Sequence, residues 1–290
     1  MIKRSLIFFF LLSATSLAVL AQDKDSVKLV NADWKKTVIS SNVSLKVAHF
    51  TAHDLFNANE NISYLELTPK KHQWGFDLGY DRKLLKTTAD FALEKNAIAA
   101  VNGSFFDVKN GGSVDFLKYG DTIIAENRLE KNGIRARHQR SAITIHNGKL
   151  KLEQWNGKST WEKSLNAEHI LLSGPMLSFK GKTQGLDTTS FTTLRHPRTA
   201  VGIKKDGKII LLTVDGRNEQ SAGMSLHELN KIMRWLDCLT AINLDGGGST
   251  TLWVEGAGDN GVINFPSDNK LWDHAGQRKV ANVLLITKKP

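Results

Sequence analysis

The feature that most constrains this chain is an apolar strand that runs directly into one carboxylate and three consecutive glycines. The stretch comprises, in order, Ala241, Ile242, Asn243, Leu244, Asp245, Gly246, Gly247, Gly248, Ser249 and Thr250. Glycine weakens regular structure by about 1 kcal/mol per residue relative to alanine, so three in a row are typical of a turn whose backbone N–H groups approach a ligand closely. The sequence therefore predicts an anion-binding turn with Asp245 at its edge.

The first 21 residues have the order of a secretory signal peptide. Lys3 and Arg4 precede an apolar run from Leu6 to Leu20, and the small residue Ala21 follows. The run is shorter than the roughly 20 residues that span a bilayer. We therefore expect cleavage after Ala21, no stable membrane insertion, and export to the periplasm or the extracellular space.

The chain is basic even without this segment. It has 39 Lys and Arg residues, two of them in the predicted signal, against 29 Asp and Glu residues. This excess fits an acidic partner or simple solubility. Because the lysines are scattered and no basic run is interleaved with aromatic residues, we expect no nucleic acid partner. Cys238 is the only cysteine, so no internal disulfide can form. The sequence does not indicate an oligomeric state.

Three apolar strands are each expected to end in a carboxylate or an amide that glycine follows. These strands cover residues 97–101, 208–214 and 241–244. The polar residues that come after them are Asn102, then Asp215 with Arg217, and then Asp245. If the strands share one sheet and one direction, these side chains meet at one edge, where open α/β sheets bind ligands. Taken singly, each is equally well a turn residue, because Asn-Gly and Asp-Gly are common turn pairs.

Hydrophobic periodicity predicts the remaining elements. Strands are expected over residues 42–51 and 62–67, and helices over 88–95 and 225–237. Ser225 and Glu228 have the spacing of a capping box for the second helix. Together these elements predict an α+β fold, with a mixed β-sheet core flanked by helices. Its domains are a strand extension over residues 22–84 and a catalytic domain over residues 85–290.

Two segments of the chain resemble each other. Residues 140–149 and 198–208 each begin with an arginine, Arg140 or Arg198, and alternate apolar with smaller or polar residues. Each also contains an Asn-Gly or Asp-Gly pair that predicts a tight hairpin turn. Two similar hairpins explain this likeness more simply than an internal duplication does.

Seven short motifs extend the pattern along the chain. They are Asn102-Gly-Ser-Phe-Phe-Asp107, Ser173-Gly-Pro-Met-Leu177, Arg198-Thr-Ala-Val-Gly202, Leu212-Thr-Val-Asp-Gly-Arg217, Ser225-Leu-His-Glu-Leu229, Asn243-Leu-Asp-Gly-Gly-Gly-Ser-Thr250 and Arg278-Lys-Val-Ala-Asn282. In these motifs and their order the chain resembles the phosphodiester glycosidase family from about Asn96 to its C-terminus. That family includes a lysosomal enzyme that removes N-acetylglucosamine from a sugar phosphodiester, and bacterial proteins linked to exopolysaccharide.

The resemblance implies an exported hydrolase that cleaves the C1–O bond of a glycosyl-1-phosphodiester, with a phosphorylated carbohydrate or glycan as substrate and an N-acetylhexosamine as a candidate sugar. Such a reaction needs a carboxylate near the anomeric carbon and donors that hold the departing phosphate. Asp245 and Asp215 are the candidates for the carboxylate, as nucleophile or as base. The expected substrate-binding residues are Asn102, Ser104, Arg198, Arg217, Gly246, Gly247, Gly248, Ser249 and Thr250.

Other interpretations stay open. A metal-dependent phosphodiesterase would use the same carboxylates, with Asp107, to hold calcium or magnesium, although no cofactor is certain from the sequence. A non-catalytic binder of acidic glycans would stack sugars on tryptophans such as Trp155 and Trp161. Arg198 could instead pair with a structural carboxylate.

Overall fold

The computed structural model describes residues 23–69, 73–258 and 260–288, so the predicted signal peptide lies outside the described residues. The strands are β1 (Lys35–Ser40), β2 (Val43–Leu55), β3 (Ala58–Leu67), β4 (Trp74–Tyr80), β5 (Ala97–Asn102), β6 (Leu117–Tyr119), β7 (Thr122–Ala125), β8 (Ser141–His146), β9 (Lys149–Gln154), β10 (His169–Leu172), β11 (Met176–Phe179), β12 (Lys182–Thr183), β13 (Arg198–Lys204), β14 (Ile209–Val214), β15 (Cys238–Asn243), β16 (Leu252–Val254) and β17 (Asn282–Lys288). The α-helices are α1 (Lys24–Val30), α2 (Thr88–Glu94), α3 (Ser190–Thr193) and α4 (Leu226–Trp235).

These strands form three sheets. The strand orders are β1-β2-β3-β14-β13-β15-β11-β12, β7-β6-β10-β8-β9 and β16-β5-β17-β4. Every pairing between these strands in the described part of the chain is antiparallel, whereas the sequence predicts a mixed sheet. Tight hairpins account for part of this difference, because they join neighbouring strands in opposite directions. The α+β class is confirmed in this all-antiparallel form.

Both arginine-led segments are hairpins, as predicted. β8 and β9 pair from end to end across Asn147 and Gly148, which adopt positive φ angles of 52° and 69°. Such angles belong to the twisted two-residue turns that fit antiparallel strands. β13 and β14 pair in the same way, and Gly207 in their connection has a φ of 83°.

Helix α4 covers one face of the eight-stranded sheet. Ser225 caps it, and the predicted capping box with Glu228 is present. Its apolar stripe of Leu226, Leu229 and Ile232 is fully buried in a core that it shares with the sheet. Helix α2 begins after the Thr87 cap and packs against the four-stranded sheet. None of the described helices is long and apolar enough to cross a membrane.

The strands before residue 85 belong to the same sheets as the later strands. β1, β2 and β3 form one side of the eight-stranded sheet, where β3 pairs with β14 over six residue pairs from Ile62↔Val214 to Leu67↔Ile209. β4 pairs with β17 in the four-stranded sheet. The predicted strand extension therefore supplies hydrogen-bonding partners to the strands that follow it.

Two of the three expected polar strand ends lie at one sheet edge. β14 and β15 flank β13 and are both antiparallel to it, so they run in the same direction and bring Asp215 and Asp245 to the same edge. β5 belongs to the four-stranded sheet. Asn102 at its end nevertheless reaches this edge, because its Nδ2 donates to the Asp245 carbonyl at 2.7 Å. The three polar residues thus lie near one another as predicted, but the expectation that their strands share one sheet is wrong for β5.

Candidate active site

The glycine run forms a tight turn around the Asp245 carboxylate. The Gly246 N–H donates to Asp245 Oδ1 at 2.9 Å, and a short 3-10 turn covers Gly247–Ser249. Gly247 has a φ of 61°, in the left-handed region that favours glycine. Its N–H donates to the Pro197 carbonyl at 2.8 Å, which fixes the turn against the start of β13. The turn lies where the sequence predicted it, but the N–H groups of Gly246 and Gly247 already have protein acceptors, so anion binding by the glycine turn stays a prediction.

Asp245 is half-buried, and its surroundings adjust its acidity. The pKa of its carboxyl is raised from 3.8 to about 6 as the net result, mainly by burial and to a smaller extent by the charge of Asp115. The Ser249 hydroxyl, the Gly246 N–H and the charge of Arg278 lower it. A carboxyl with a pKa near 6 is ionised at neutral pH and still close to its titration range, which suits nucleophilic or general-base work.

Hydroxyl groups with no hydrogen-bond partner among the described residues follow the turn. The Oγ1 atoms of Thr250 and Thr251 are buried and unpartnered, and Ser249 Oγ lies near Asp245 without reaching hydrogen-bond geometry. A buried polar group without a partner costs about 1–3 kcal/mol. Hydroxyls of this kind are therefore suited to bind the oxygens of a substrate.

Arg217 lies over the glycine turn. A Cβ atom added to Gly247 would lie 3.0 Å from the Arg217 Nη2 atom, so this guanidinium packs directly against the turn. The side chain is exposed, and it makes no ion pair with any carboxylate that the structure describes. Its positive charge therefore faces the turn without compensation.

Arg198 is the largest fully buried side chain at the site. Its Nε donates to the Met224 carbonyl at 2.7 Å, and its Nη2 donates to the carbonyls of Phe191 and Leu194 at 2.6 and 3.1 Å. Within the described residues it has no ion pair, so the expected alternative of a structural carboxylate partner is not found. Burial and the charge of Arg217 lower its pKa to about 10. The two guanidinium groups are therefore close enough for their charges to interact, an arrangement that an anion would stabilise.

His196 is close to both arginines, although no sequence pattern indicated a role for it. It precedes Pro197 at the start of β13, where its backbone pairs with that of Met224. Burial and the charges of Arg198 and Arg217 lower the pKa of its imidazole. At neutral pH the ring is therefore uncharged beside the two cations.

Asn102 holds the turn in place, whereas Ser104 binds the neighbouring carboxylate of Asp115. Asn102 Oδ1 accepts from the Thr199 hydroxyl at 2.7 Å and from the Thr251 N–H at 3.1 Å, in addition to the bond that its Nδ2 makes to Asp245. Ser104 donates its hydroxyl proton to Asp115 Oδ2 at 3.1 Å. Both side chains thus have protein partners, and their direct contact with a substrate stays a prediction.

Asp215 is in a different environment from Asp245. It is fully buried, and its Oδ2 accepts from Asn61 Nδ2 at 2.7 Å. Its Oδ1 accepts from Asn264 Nδ2 at 2.8 Å and from the Phe265 N–H at 2.9 Å. Burial raises the pKa of Asp215, while these three donors lower it. Asn264 Nδ2 also donates to the Thr250 carbonyl at 3.0 Å, which connects Asp215 to the glycine turn.

Two charged residues near Asp245 were given no role from the sequence. Asp115 is fully buried and accepts from Ser104 and from Gln139 Nε2, the latter at 2.9 Å. It does not follow a strand–glycine pattern, so no sequence signal marked it. Arg278 begins the last family motif, and its Nε donates to Asp268 at 2.8 Å beside Gly248. The motif itself was the signal that could have identified it.

The metal interpretation requires several ligand side chains to lie together. In the described ranges, no three or more His, Cys, Asp or Glu side chains form a group that could hold a metal ion. Asp107, one of the suggested ligands, pairs with Arg128 at 2.7 Å and accepts from two backbone N–H groups of its own turn. Its carboxylate is therefore committed to local contacts.

The two tryptophans considered for sugar stacking already have contacts within the protein. Trp161 is 3% exposed and belongs to a small core beneath the five-stranded sheet. Trp155 is half-buried, and the guanidinium groups of Arg135 and Arg140 lie 5.6 and 5.3 Å from the centre of its ring. Sugar stacking on either tryptophan stays a prediction.

Comparison with known proteins identifies the family. The model of the phosphodiester glycosidase family matches residues 95–287. The chain is 24% identical over 187 residues to the SPbeta prophage-derived uncharacterized protein YomE of Bacillus subtilis, covering 61% of this chain and 27% of that protein. It is 40% identical over 81 residues to the mouse N-acetylglucosamine-1-phosphodiester alpha-N-acetylglucosaminidase, covering 28% of this chain and 15% of that protein. The chain thus spans less than a third of either curated relative.

A solved structure has the same fold. The catalytic domain of the zebrafish N-acetylglucosamine-1-phosphodiester alpha-N-acetylglucosaminidase, auto-inhibited by its pro-peptide, superposes with a TM-score of 0.66 at 21% identity. The match covers 86% of this chain and 85% of that one. Since the family model matches most of the chain and includes the glycine turn, this chain belongs to the phosphodiester glycosidase family.

Proposed function

We propose that this protein is an exported hydrolase that cleaves the C1–O bond of a glycosyl-1-phosphodiester in a surface or extracellular glycan. The observation that carries the proposal is the Asp245 carboxylate in a glycine turn that the unpaired Arg217 guanidinium covers. Family membership supports the reaction type. The apolar segment before Ala21 supports export.

In the proposed reaction, Asp245 acts on the anomeric carbon. Breaking the C1–O bond places positive charge on the sugar ring and releases a phosphate monoester, which leaves more easily than an alkoxide. Water supplies the hydroxyl that ends on C1 and the proton that balances the products. Asp245, ionised at neutral pH, either attacks C1 or takes the proton of the attacking water.

Arg217 and Arg198 bind the phosphate in this proposal. A phosphodiester carries one negative charge and the departing monoester carries more, so two unpaired guanidinium groups stabilise the products' charge as it develops. Because Arg198 is held by three carbonyls, it is already oriented before the substrate binds. Such preorganisation strengthens electrostatic stabilisation of the transition state.

Asp215 is given a positioning role instead of a chemical one. Both of its oxygens are occupied by amide donors, and it reaches the turn through Asn264 and the Thr250 carbonyl. The carboxylate work therefore rests on Asp245. Asp115, whose charge acts on Asp245, is the second carboxylate close to it.

The sugar is proposed by analogy with the relatives. The mouse and zebrafish proteins are named as enzymes acting on N-acetylglucosamine-1-phosphodiesters, so an N-acetylhexosamine is the first sugar to test. The identity of the glycan and of the group beyond the phosphate belongs to the same proposal.

Hydrolysis in oxygen-18 water tests the reaction. The substrates are the methyl phosphodiesters of α- and β-N-acetylglucosamine 1-phosphate. Label recovered in the sugar supports C1–O cleavage, whereas label in the phosphate means P–O cleavage and supports the phosphodiesterase interpretation. Retained binding without turnover on every diester, unchanged in Asp245→Asn, would support the non-catalytic interpretation. Activity that survives treatment with a chelator would remove the metal-dependent mechanism.

A further inference from the structure

A cavity of about 510 Å³ lies beside the candidate active site. Phe191 and His138 form the wall that it shares with the site. The Phe191 carbonyl accepts from Arg198, whose guanidinium lies 4.9 Å from the centre of the Phe191 ring. His138 Nε2 lies 3.2 Å from Asp115, the carboxylate that acts on Asp245. The cavity therefore begins where the proposed phosphate site ends.

Three arginines line this cavity, and two of them are neutralised. Arg135 pairs with the buried Glu162 at 2.7 Å, and Arg137 pairs with Asp187 at 3.2 Å. The third is Arg140, which makes no ion pair with a carboxylate in the described part of the chain. Glu130, the other acidic residue of the lining, is exposed. One guanidinium charge inside the cavity thus remains uncompensated.

Arg140 is held in a defined position. Its guanidinium stacks over Trp155, 5.3 Å from the ring centre, and its Nη2 donates to the Arg135 carbonyl at 3.1 Å. Its Nε is buried and has no hydrogen-bond partner among the described residues. A buried, charged donor without an acceptor is unfavourable, and an anionic oxygen would satisfy it.

The arginines of the two arginine-led hairpins, Arg140 and Arg198, have similar surroundings. Arg198 begins β13 and Arg140 directly precedes β8, and each guanidinium lies over an aromatic ring and donates to backbone carbonyls. Neither makes an ion pair with a described carboxylate. The two hairpins thus present two similar cationic groups, one at the proposed phosphate site and one inside the neighbouring cavity.

Resting on the proposed function, we propose that this cavity binds the group beyond the scissile phosphate and that Arg140 selects a saccharide carrying a second negative charge there. A volume of this size accommodates at least one sugar ring. Ile134, Pro175 and Phe191 supply apolar faces for the ring, and Arg140 supplies a fork that binds a carboxylate or a phosphate. The substrate class is therefore an acidic glycan with a charge on the residue after the phosphodiester.

Three diesters with one N-acetylglucosaminyl phosphate donor test this proposal. Their acceptor sugars are glucose, glucuronic acid and a glucose that carries a phosphate monoester, so the carboxylate and phosphate sources are separated. We expect the wild type to prefer at least one acidic acceptor. Arg140→Gln should raise the KM for that diester about tenfold or more and change the KM for the glucose diester less than twofold. Arg140→Lys, which keeps the charge without the fork, should lie between them.

Arg234→Gln is the matched control, because Arg234 is an exposed arginine on α4 away from the cavity. It should behave as the wild type. Equal effects of Arg140→Gln on neutral and acidic diesters, or no effect on any, would overturn the proposal. If thermal unfolding shows that Arg140→Gln is not folded, Arg140→Lys carries the test.

A binding measurement separates this proposal from the proposed function. The phosphate monoesters of glucose and glucuronic acid are titrated calorimetrically into the wild type and Arg140→Gln. Preferential binding of the glucuronic acid phosphate that Arg140→Gln loses would support the cavity even if no diester were hydrolysed. Turnover of diesters without any acidic preference in binding or catalysis would leave the proposed function standing and refute the role of Arg140.

Discussion

The Asp215 turn and the Asp245 turn share a sequence pattern but differ in their surroundings. Each follows a strand of the same direction at the same edge of the eight-stranded sheet. Asp215 is fully buried with both oxygens hydrogen-bonded by amide groups. Asp245 is half-buried, and its turn lies beside hydroxyls without a hydrogen-bond partner and an arginine without an ion pair in the part of the chain that the structure describes. One carboxylate is therefore saturated by the protein, while the other can still bind a ligand.

The position of a carboxylate at a strand end therefore does not by itself determine its role. The donors that occupy Asp215 come from Asn61 on β3 and from Asn264 in a distant loop. Asp245 receives one backbone N–H from the next residue. Residues remote in sequence thus decide which carboxylate supports the site and which can act on a substrate.

The largest expected effect follows from Asp245→Asn. An amide can neither attack C1 nor take a proton, so kcat should fall by about 10³-fold or more, while the unfolding temperature changes little. Asp237→Asn is the matched control, since Asp237 is exposed and has a φ of 64° that asparagine accepts readily. If Asp245→Asn kept the wild-type kcat, Asp245 would not act on the substrate, and the proposed difference in role between the two turns would be wrong.

Arg217→Gln should have the next largest effect. Loss of one guanidinium from the phosphate site should lower kcat/KM by about 10²-fold, since charged hydrogen bonds to a developing anion contribute a few kcal/mol. The free energy of unfolding should stay near that of the wild type, because Arg217 is exposed and unpaired. If kcat/KM of Arg217→Gln equalled that of the wild type and of the control Arg234→Gln, the assignment of Arg217 to the phosphate would be contradicted.

Asp215→Asn should affect stability more than chemistry. The NH2 group of the new asparagine would face the side-chain NH2 of Asn61 or of Asn264, so a donor would meet a donor. The lost hydrogen bond should lower the free energy of unfolding by about 2 kcal/mol. Urea titration measures this loss, and kcat per folded molecule should fall far less than in Asp245→Asn. A wild-type stability combined with a thousandfold loss of kcat would show instead that Asp215 takes part in the reaction.

The smallest expected effect on turnover concerns Glu60, which lies beneath the Asp215 turn and acts on the pH dependence of stability. It is fully buried and accepts from Ser221 and from the Gly223 N–H, each at 3.2 Å. Burial raises its pKa from 4.5 to about 9, partly offset by the charge of Arg195. The folded protein therefore keeps a proton that the unfolded chain loses, so this residue makes stability fall as pH rises from about 4.5 to about 9.

Glu60→Gln should remove this dependence. The variant should gain stability relative to the wild type by up to about 1.4 kcal/mol per pH unit across that range, the slope for one proton. Urea titrations of both proteins at several pH values between about pH 5 and pH 9 give the difference in their free energies of unfolding. The contributions of Asp215 and Asp245 cancel in this difference because both proteins contain them. A difference that is constant with pH would mean that Glu60 is ionised in the folded protein.

Local sequence patterns predicted the elements and the turn well. The capping box at Ser225 and the Asn147-Gly148 hairpin depend on neighbouring residues, so the sequence reveals them directly. The prediction of a mixed sheet was wrong, because the direction of a strand relative to its neighbours depends on which distant strands pair with it. Asp115 and the donors to Asp215 were missed for the same reason, since they come from parts of the chain that no local pattern connects.

The pairing of β3 with β14 has a consequence for any attempt to isolate the catalytic part of this protein. A fragment that begins at residue 95, where the family match begins, would leave the backbone of β14 unpaired along one side. It would also lack the amide of Asn61 that binds Asp215. Exposed strand edges recruit other chains, so such a fragment should aggregate, and the boundary of the functional unit is set by the sheet rather than by the family match.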